Sequence, residues 1–216
     1  MAKTLFIETR KKFNESKINF QLLDNLPGKT ISLAATIQYL GLIPIVKKYL
    51  EKLHKKVMIN KGPAYPGHVI GCNPAAFSKQ TDTLLLLTDG KFHAINNAVN
   101  LNKEIYVFNT ITLEKVTNED IAKVNAKKQA AIKKFLSYNI IGLLVSTKPG
   151  QNFKAVSQIK AKIEKLNKKV YVFESDNINI SEFENFKIPI WVNTACYGLG
   201  LDDSRIVNLS DILEFI

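Results

Sequence analysis

Arginine is scarce in this chain: of 30 basic residues in 216, only Arg10 and Arg205 are arginine and the other 28 are lysine. Specific reading of phosphates and base edges leans on the arginine fork, so a formal net charge of +11 does not by itself point to nucleic acid. A solvated lysine-rich surface accounts for most of it. Cysteine is scarcer still. Cys72 and Cys196 make no disulfide framework, and their 124-residue separation excludes a local Cys-x-x-Cys zinc or redox motif. No apolar run reaches the roughly 18 residues of a membrane span. The opening Met1-Ala-Lys-Thr-Leu-Phe-Ile-Glu8 lacks the long apolar stretch of a secretory leader, so a cytoplasmic protein is expected. There is no P-loop, no G-x-G-x-x-G fingerprint, no H-E-x-x-H helix and no Ser/His/Asp grouping.

What is present is a chain that can bury a core, with 46% hydrophobic residues. Its strongest signal is internal similarity. Leu84-Leu-Leu-Leu-Thr-Asp-Gly90 resembles Leu143-Leu-Val-Ser-Thr-Lys-Pro-Gly150, and Ile105-Tyr-Val-Phe-Asn109 resembles Val170-Tyr-Val-Phe-Glu174. Each reads as a buried parallel strand ending in a polar turn. Helices are expected over 39–54, 119–136 and 153–166. The second opens with Thr117-Asn-Glu-Asp120, a capping box, and the third places Val156, Ile159, Ile163 and Leu166 on one face. Further strands are expected from Ile31 and over 57–60. The rhythm predicts an α/β protein of two similar βαβ domains with parallel sheets, over 27–120 and 121–216. Leu5-Phe-Ile-Glu8 looks like a third, truncated copy, so 1–26 reads as the closing segment of a preceding domain.

Candidate chemistry collects after the strands. Cys72 ends the apolar run Val69-Ile70-Gly71, and Cys196 ends Ile190-Trp-Val-Asn-Thr-Ala195; both are placed outside strand C-termini, where open α/β sheets carry functional groups. Each is equally readable as a small buried hydrophobe. His93 is a proton donor, a ligand or a structural residue. Thr147-Lys-Pro-Gly-Gln151 offers backbone N–H groups and Lys148 to an anion, although Pro149 removes a donor. Asp202-Asp203 is a cation site or a solvated pair.

Five of these stretches, in order, resemble the diphthamide synthase radical enzymes, the 2-(3-amino-3-carboxypropyl)histidine synthases. They are Ile31-Ser-Leu-Ala-Ala-Thr-Ile-Gln-Tyr39, Gly67-His-Val-Ile-Gly-Cys72-Asn, Asp89-Gly-Lys-Phe-His93, Val145-Ser-Thr-Lys-Pro-Gly-Gln151 and Val192-Asn-Thr-Ala-Cys196, with Asp202-Asp203 following. The resemblance implies the second and third domains of a three-domain pseudo-repeat. It implies a central [4Fe–4S] cluster held by one cysteine per domain, here Cys72 and Cys196, with S-adenosylmethionine on the open iron. It further implies radical transfer of a 3-amino-3-carboxypropyl group to a histidine of the translocating elongation factor. Thr147, Lys148, Gly150 and Gln151 become a wall of the cofactor site. The third cysteine is then expected from a partner chain carrying the first domain, in a homo- or heterodimeric assembly with no membrane. Cys196-Tyr197-Gly198 departs from the family's usual Cys-Pro-Arg, which leaves a non-catalytic scaffold or electron-delivery subunit as the alternative, beside a basic RNA- or ribosome-associated protein.

Overall fold

The structure, a computed structural model, describes residues 5, 7–71 and 73–216, without the side chain of Asp202. The chain divides into two compact units, Met1–Ala122 and Lys123–Ile216. Each is built around one sheet.

The first sheet contains β1 (Thr30–Ala35), β2 (Lys56–Met58), β3 (Thr83–Leu87), β4 (Ile105–Phe108) and β5 (Leu113–Val116), in the order β2-β1-β3-β4-β5. β1 to β4 pair in parallel, and β5 returns antiparallel on β4. The sheet is therefore mixed, where a purely parallel one is expected from the repeat. The hairpin turn carries Thr110 at φ +85°, and Asn109 Oδ1 accepts the N–H groups of Ile111 and Thr112 at 3.0 and 2.8 Å. Alternation with period two sends Ile31, Leu33, Leu85, Leu87 and Phe108 to one core and Ala34, Leu84, Leu86, Ile105 and Val107 to the other. α1 (Ile43–Lys52) covers the first face and α2 (Phe92–Leu101) the second. The helix expected over 39–54 is shorter because residues 37–42 form a 3-10 turn. Pro44, which cannot donate within a helix interior, sits in the first turn of α1.

Residues 1–26 contain no strand among those described. Ile18, Leu23 and Leu26 are buried in the α1-side core, whereas Leu5 and Ile7 are each 82% exposed. The run before Cys72 is not a sheet strand either. It is held by an isolated bridge, Ala35 to His68, and by a tight bridge between Ile70 and Asn73.

The second sheet has β6 (Ile140–Ser146), β7 (Lys169–Ser175), β8 (Ile190–Asn193) and β9 (Ile206–Asn208), all parallel, in the order β7-β6-β8-β9. α3 (Asn118–Ser137) and α4 (Val156–Glu164) cover one face through Ile132, Phe135, Ile159 and Ile163. The capping box at the start of α3 is present with Asp120 in the acidic role. Its backbone N–H donates to Thr117 Oγ1 at 3.2 Å, and its carboxylate accepts the Thr117 N–H at 2.9 Å. α4 stops before Leu166, which lies 39% exposed rather than on the buried stripe. The other face packs Leu144, Trp191 and Ile206 against a 3-10 segment, Ile180–Phe186. Gly142 is required there: a Cβ would lie 2.2 Å from the indole of Trp191. No described helix is long and apolar enough to cross a membrane.

Gly142→Ala should therefore destabilise the second unit by about 1–3 kcal/mol through overpacking, measured by urea unfolding. An unchanged midpoint would show that Trp191 moves aside freely.

Candidate functional site

At the C-terminal end of β8 the chain turns through Asn193-Thr194-Ala195-Cys196 into α5 (Leu199–Asp202). Asn193 builds this turn. Its side chain is 3% exposed, Oδ1 accepts the Ala195 N–H at 2.9 Å, and Nδ2 donates to the Cys196 carbonyl at 2.8 Å and to Asn208 Oδ1 at 2.7 Å. Thr194 fastens the turn to the neighbouring strand by donating both its N–H and its hydroxyl to the Leu144 carbonyl, at 3.1 and 2.8 Å. The Leu199 N–H donates to the Cys196 carbonyl from the far side at 3.1 Å. Gly200 admits Asn208, since a Cβ there would lie 2.4 Å from its Nδ2. The Cys196 backbone is thus pinned from two sides, while its thiol is free and exposed. Beside the turn lies a cavity of about 250 Å³, walled by Phe153, Thr194, Tyr197 and Leu209. Burial pushes the Tyr197 phenol upward, with the Asp211 charge adding to it, so Tyr197 is a neutral donor at physiological pH.

Thr147, Lys148, Gly150 and Gln151 follow β6 and so share this sheet edge with the Cys196 turn. All four are exposed. Thr147 N–H donates to the Ser175 carbonyl at 3.1 Å, its hydroxyl donates to Asp176, and the Lys148 ammonium donates to Asn177 Oδ1. Gly150 takes φ +82°, and the Gln151 N–H closes a turn on the Lys148 carbonyl at 3.0 Å. The polar groups of Thr147 and Lys148 are engaged by the loop after β7, so a ligand there would compete with those bonds.

Cys72 lies outside the described residues; its neighbours do not. Ile70 is held by Asn97 of α2, whose buried Nδ2 donates to the Ile70 carbonyl at 3.2 Å and to the His93 carbonyl at 2.7 Å. Gly71 is backed by α2, and a Cβ on it would lie 3.4 to 3.8 Å from Asn96, Phe92 and His93. Three buried atoms in this region have no hydrogen-bond partner among the described residues: His68 Nδ1, Asn96 Oδ1 and Asn97 Oδ1. Each such atom costs about 1–3 kcal/mol. His93 is half-buried; burial first, and the His68 charge second, hold its imidazole below the usual histidine range. Burial does the same to His68 against the opposing pull of Glu8.

Asp203 is not a free cation ligand. It accepts the Arg205 backbone N–H at 2.8 Å and pairs with that guanidinium, also at 2.8 Å. The Arg205 charge and hydrogen bonds hold the Asp203 carboxyl below its ordinary value. Among the described residues no three or more His, Cys, Asp or Glu are grouped to hold a metal ion. Thiolate chemistry suits iron, and the described residues offer one such donor, Cys196. The asparagines at 96, 97 and 193 were not singled out by sequence reasoning. The available signal was Asn97 standing within an otherwise apolar helical stripe, Ala94-Ala98-Leu101.

An α/β chain with a free thiol on a turn at a sheet's C-terminal edge is the class defined so far. Comparison narrows it. Residues 1–206 match the family described as putative diphthamide synthesis protein, and the chain belongs to that family. It is 29% identical over 214 residues to the 2-(3-amino-3-carboxypropyl)histidine synthase of Methanocaldococcus jannaschii, covering 93% of this chain and 57% of that protein. With subunit 1 of the chicken (Gallus gallus) enzyme of the same name, identity is 24% over 201 residues, covering 91% of this chain and 48% of that one. The fold matches the crystal structure of Dph2 from Pyrococcus horikoshii with TM-score 0.78 at 23% identity, covering 90% of this chain and 59% of that one. The Dph2 structure from the same organism with a 4Fe-4S cluster matches with TM-score 0.75, also at 23% identity, covering 86% and 56%. The chain spans about half the length of the curated relatives it matches.

Asn193→Leu should cost about 1–3 kcal/mol, because it strands the Ala195 N–H and the buried Asn208 Oδ1, and it should speed amide exchange over 194–199. Unchanged exchange there would remove Asn193 as the organiser of the turn. The two histidines give a pH test. With folded pKa values below the unfolded ~6.5, they contribute stability that is full above that value and is lost as pH falls through the folded values. The urea midpoint should drop as pH falls below about 6.5, and a His68→Gln/His93→Gln double variant should flatten that dependence. An equally steep dependence in the double variant would assign it to other groups.

Proposed function

We propose that this chain is a subunit of the enzyme that transfers a 3-amino-3-carboxypropyl group from S-adenosylmethionine to a histidine of the translocating elongation factor, in the cytoplasm. The observation that carries the reading is the free Cys196 thiol on a pinned turn at the sheet edge, in a chain whose family match runs over residues 1–206. Cys72 and Cys196 are two ligands of a [4Fe–4S] cluster, and the third thiolate comes from polypeptide outside this two-cysteine sequence, which makes the active species a larger assembly. When bound, the cluster supplies the electron that cleaves a carbon–sulfur bond of S-adenosylmethionine.

The chain's own residues hold and shape. Asn193 and Leu199 hold the Cys196 carbonyl, so the thiolate would be presented from a fixed turn. Asn97 holds the carbonyl two residues before Cys72. Thr147, Lys148, Gly150 and Gln151, in the loop after β6, would form part of the cofactor wall. A second reading, a non-catalytic subunit of the same complex, is favoured by one observation: Tyr197-Gly198 replaces the Pro-Arg expected from the resemblance, so the Cys196 turn offers no guanidinium to a carboxylate.

The two readings separate in one experiment. The chain is reconstituted anaerobically with iron and sulfide beside a three-cysteine relative's first domain, which carries the third cysteine, reduced with dithionite and given S-adenosylmethionine and elongation factor. The expected outcome is the aminocarboxypropyl mass increment on the factor, falling at least about 100-fold in Cys72→Ser and in Cys196→Ser. Full activity in either variant contradicts the ligand assignment, and no adduct with the unsubstituted chain favours the non-catalytic reading.

A further inference from the structure

The first unit holds a cavity that the proposed chemistry does not use. It has a volume of about 460 Å³ and is lined by Lys11, Lys12, Lys17, Phe13, Tyr39 and Asp89, closed on its far side by the turn 109–111. Its floor lies past the C-terminal ends of β1, β3 and β4. Strand order β2-β1-β3-β4 reverses between β1 and β3, the position where open α/β sheets form ligand crevices. The size suits a small molecule.

The charge in this cavity is lopsided. Lys11 is committed: its ammonium donates to Tyr39 Oη at 2.9 Å and pairs with Asp89, whose carboxylate also accepts the Tyr39 hydroxyl. Those bonds hold the Asp89 carboxyl below its ordinary value and leave Lys11 neutralised. Lys12 and Lys17 line the same cavity, and no ion pair with either is found among the described residues. Two exposed lysines on the cavity's lining are therefore without an ion-pair partner among the described residues. Its apolar side includes Phe13, whose ring lies 5.3 Å from that of the buried Tyr39, and Ile111, which is 72% exposed.

The far wall is held in a costly backbone shape. Thr110, a β-branched residue, sits at φ +85°, which such residues avoid. Asn109 locks the turn through two backbone N–H groups, and the Thr110 carbonyl accepts the Asn19 N–H at 2.9 Å. A strained wall fastened from both ends presents a preformed surface rather than a collapsing one.

We propose that this cavity binds a phosphate monoester carrying a flat ring, of mononucleotide size, with Lys12 and Lys17 on the phosphate and Phe13 and Ile111 against the ring. The assignment is independent of the cluster chemistry and of Cys72 and Cys196. It is tested on the full chain, without iron, by NMR titration with AMP, adenosine, inorganic phosphate and a Glu-rich peptide. The expected result is saturable binding of AMP, with shifts at Phe13 and at 109–111, and with adenosine and inorganic phosphate each weaker by about tenfold or more. The Lys12→Gln/Lys17→Gln double variant should weaken AMP by at least about tenfold, while a Lys160→Gln/Lys165→Gln control on the other unit leaves it unchanged. No AMP binding at about 5 mM, AMP binding unaltered in the double variant, or tighter binding of the Glu-rich peptide than of AMP each overturns the proposal.

Discussion

Leu84, Leu85, Leu86 and Leu87 are fully buried, alternately into cores on the two faces of one sheet, and the rest of the molecule is arranged around that constraint. A parallel strand sealed on both faces cannot present chemistry from its middle. Functional groups are displaced to the strand ends, where the chain must turn and backbone groups need partners. The second sheet obeys the same rule with Leu143, Leu144 and Val192. In both units the loops at the C-terminal edge are organised by asparagine side chains that spend hydrogen bonds on backbone, two of them buried. Asn193 does this around Cys196, Asn97 before Cys72, and Asn109 at the β4–β5 turn.

This use of asparagine explains how an exposed thiol can stand on a rigid turn. Asn193 satisfies one donor and one acceptor within three residues and a second acceptor on Asn208, so the turn needs neither a long helix nor a disulfide to hold it. The first unit is less settled. Among the described residues, Asn96 and Asn97 each leave a buried carbonyl oxygen unpaired, and His68 leaves a ring nitrogen. Unspent polar capacity around Ile70 and Gly71 is expensive in a protein interior, and it is concentrated on the helix that backs the Cys72 segment.

The α/β class, the strand–helix rhythm and the capping box at Thr117 were legible because each depends on local periodicity or on a four-residue pattern. Membership of the diphthamide synthesis family was legible because five short motifs kept their order along the chain. Other features depend on partners distant in sequence. β5 is a polar four-residue edge strand, Leu-Glu-Lys-Val, with no apolar run to announce it. Its antiparallel return rests on the strained turn at Thr110. The helix ends at 43, 52 and 164 moved inward because a 3-10 turn and early termination compete with periodicity at helix ends, where patterns carry least information. Val69-Ile70-Gly71 looked like a strand by composition, but its backbone bonds go to Ala35 and within its own turn. Asp203 looked available until Arg205, two residues on, closed over it.

The central claim is that this chain supplies cysteine ligands to an iron–sulfur cluster within a larger assembly. Native mass spectrometry of the complex isolated anaerobically from its source, paired with Mössbauer spectroscopy of the same sample, tests it most directly. The account expects this chain in company with further polypeptide, carrying four iron and four sulfide in the mass and a [4Fe–4S] signature in the spectrum. An assembly that modifies elongation factor yet carries no iron, or a cluster retained unchanged when Cys72 and Cys196 are both serine, would contradict it.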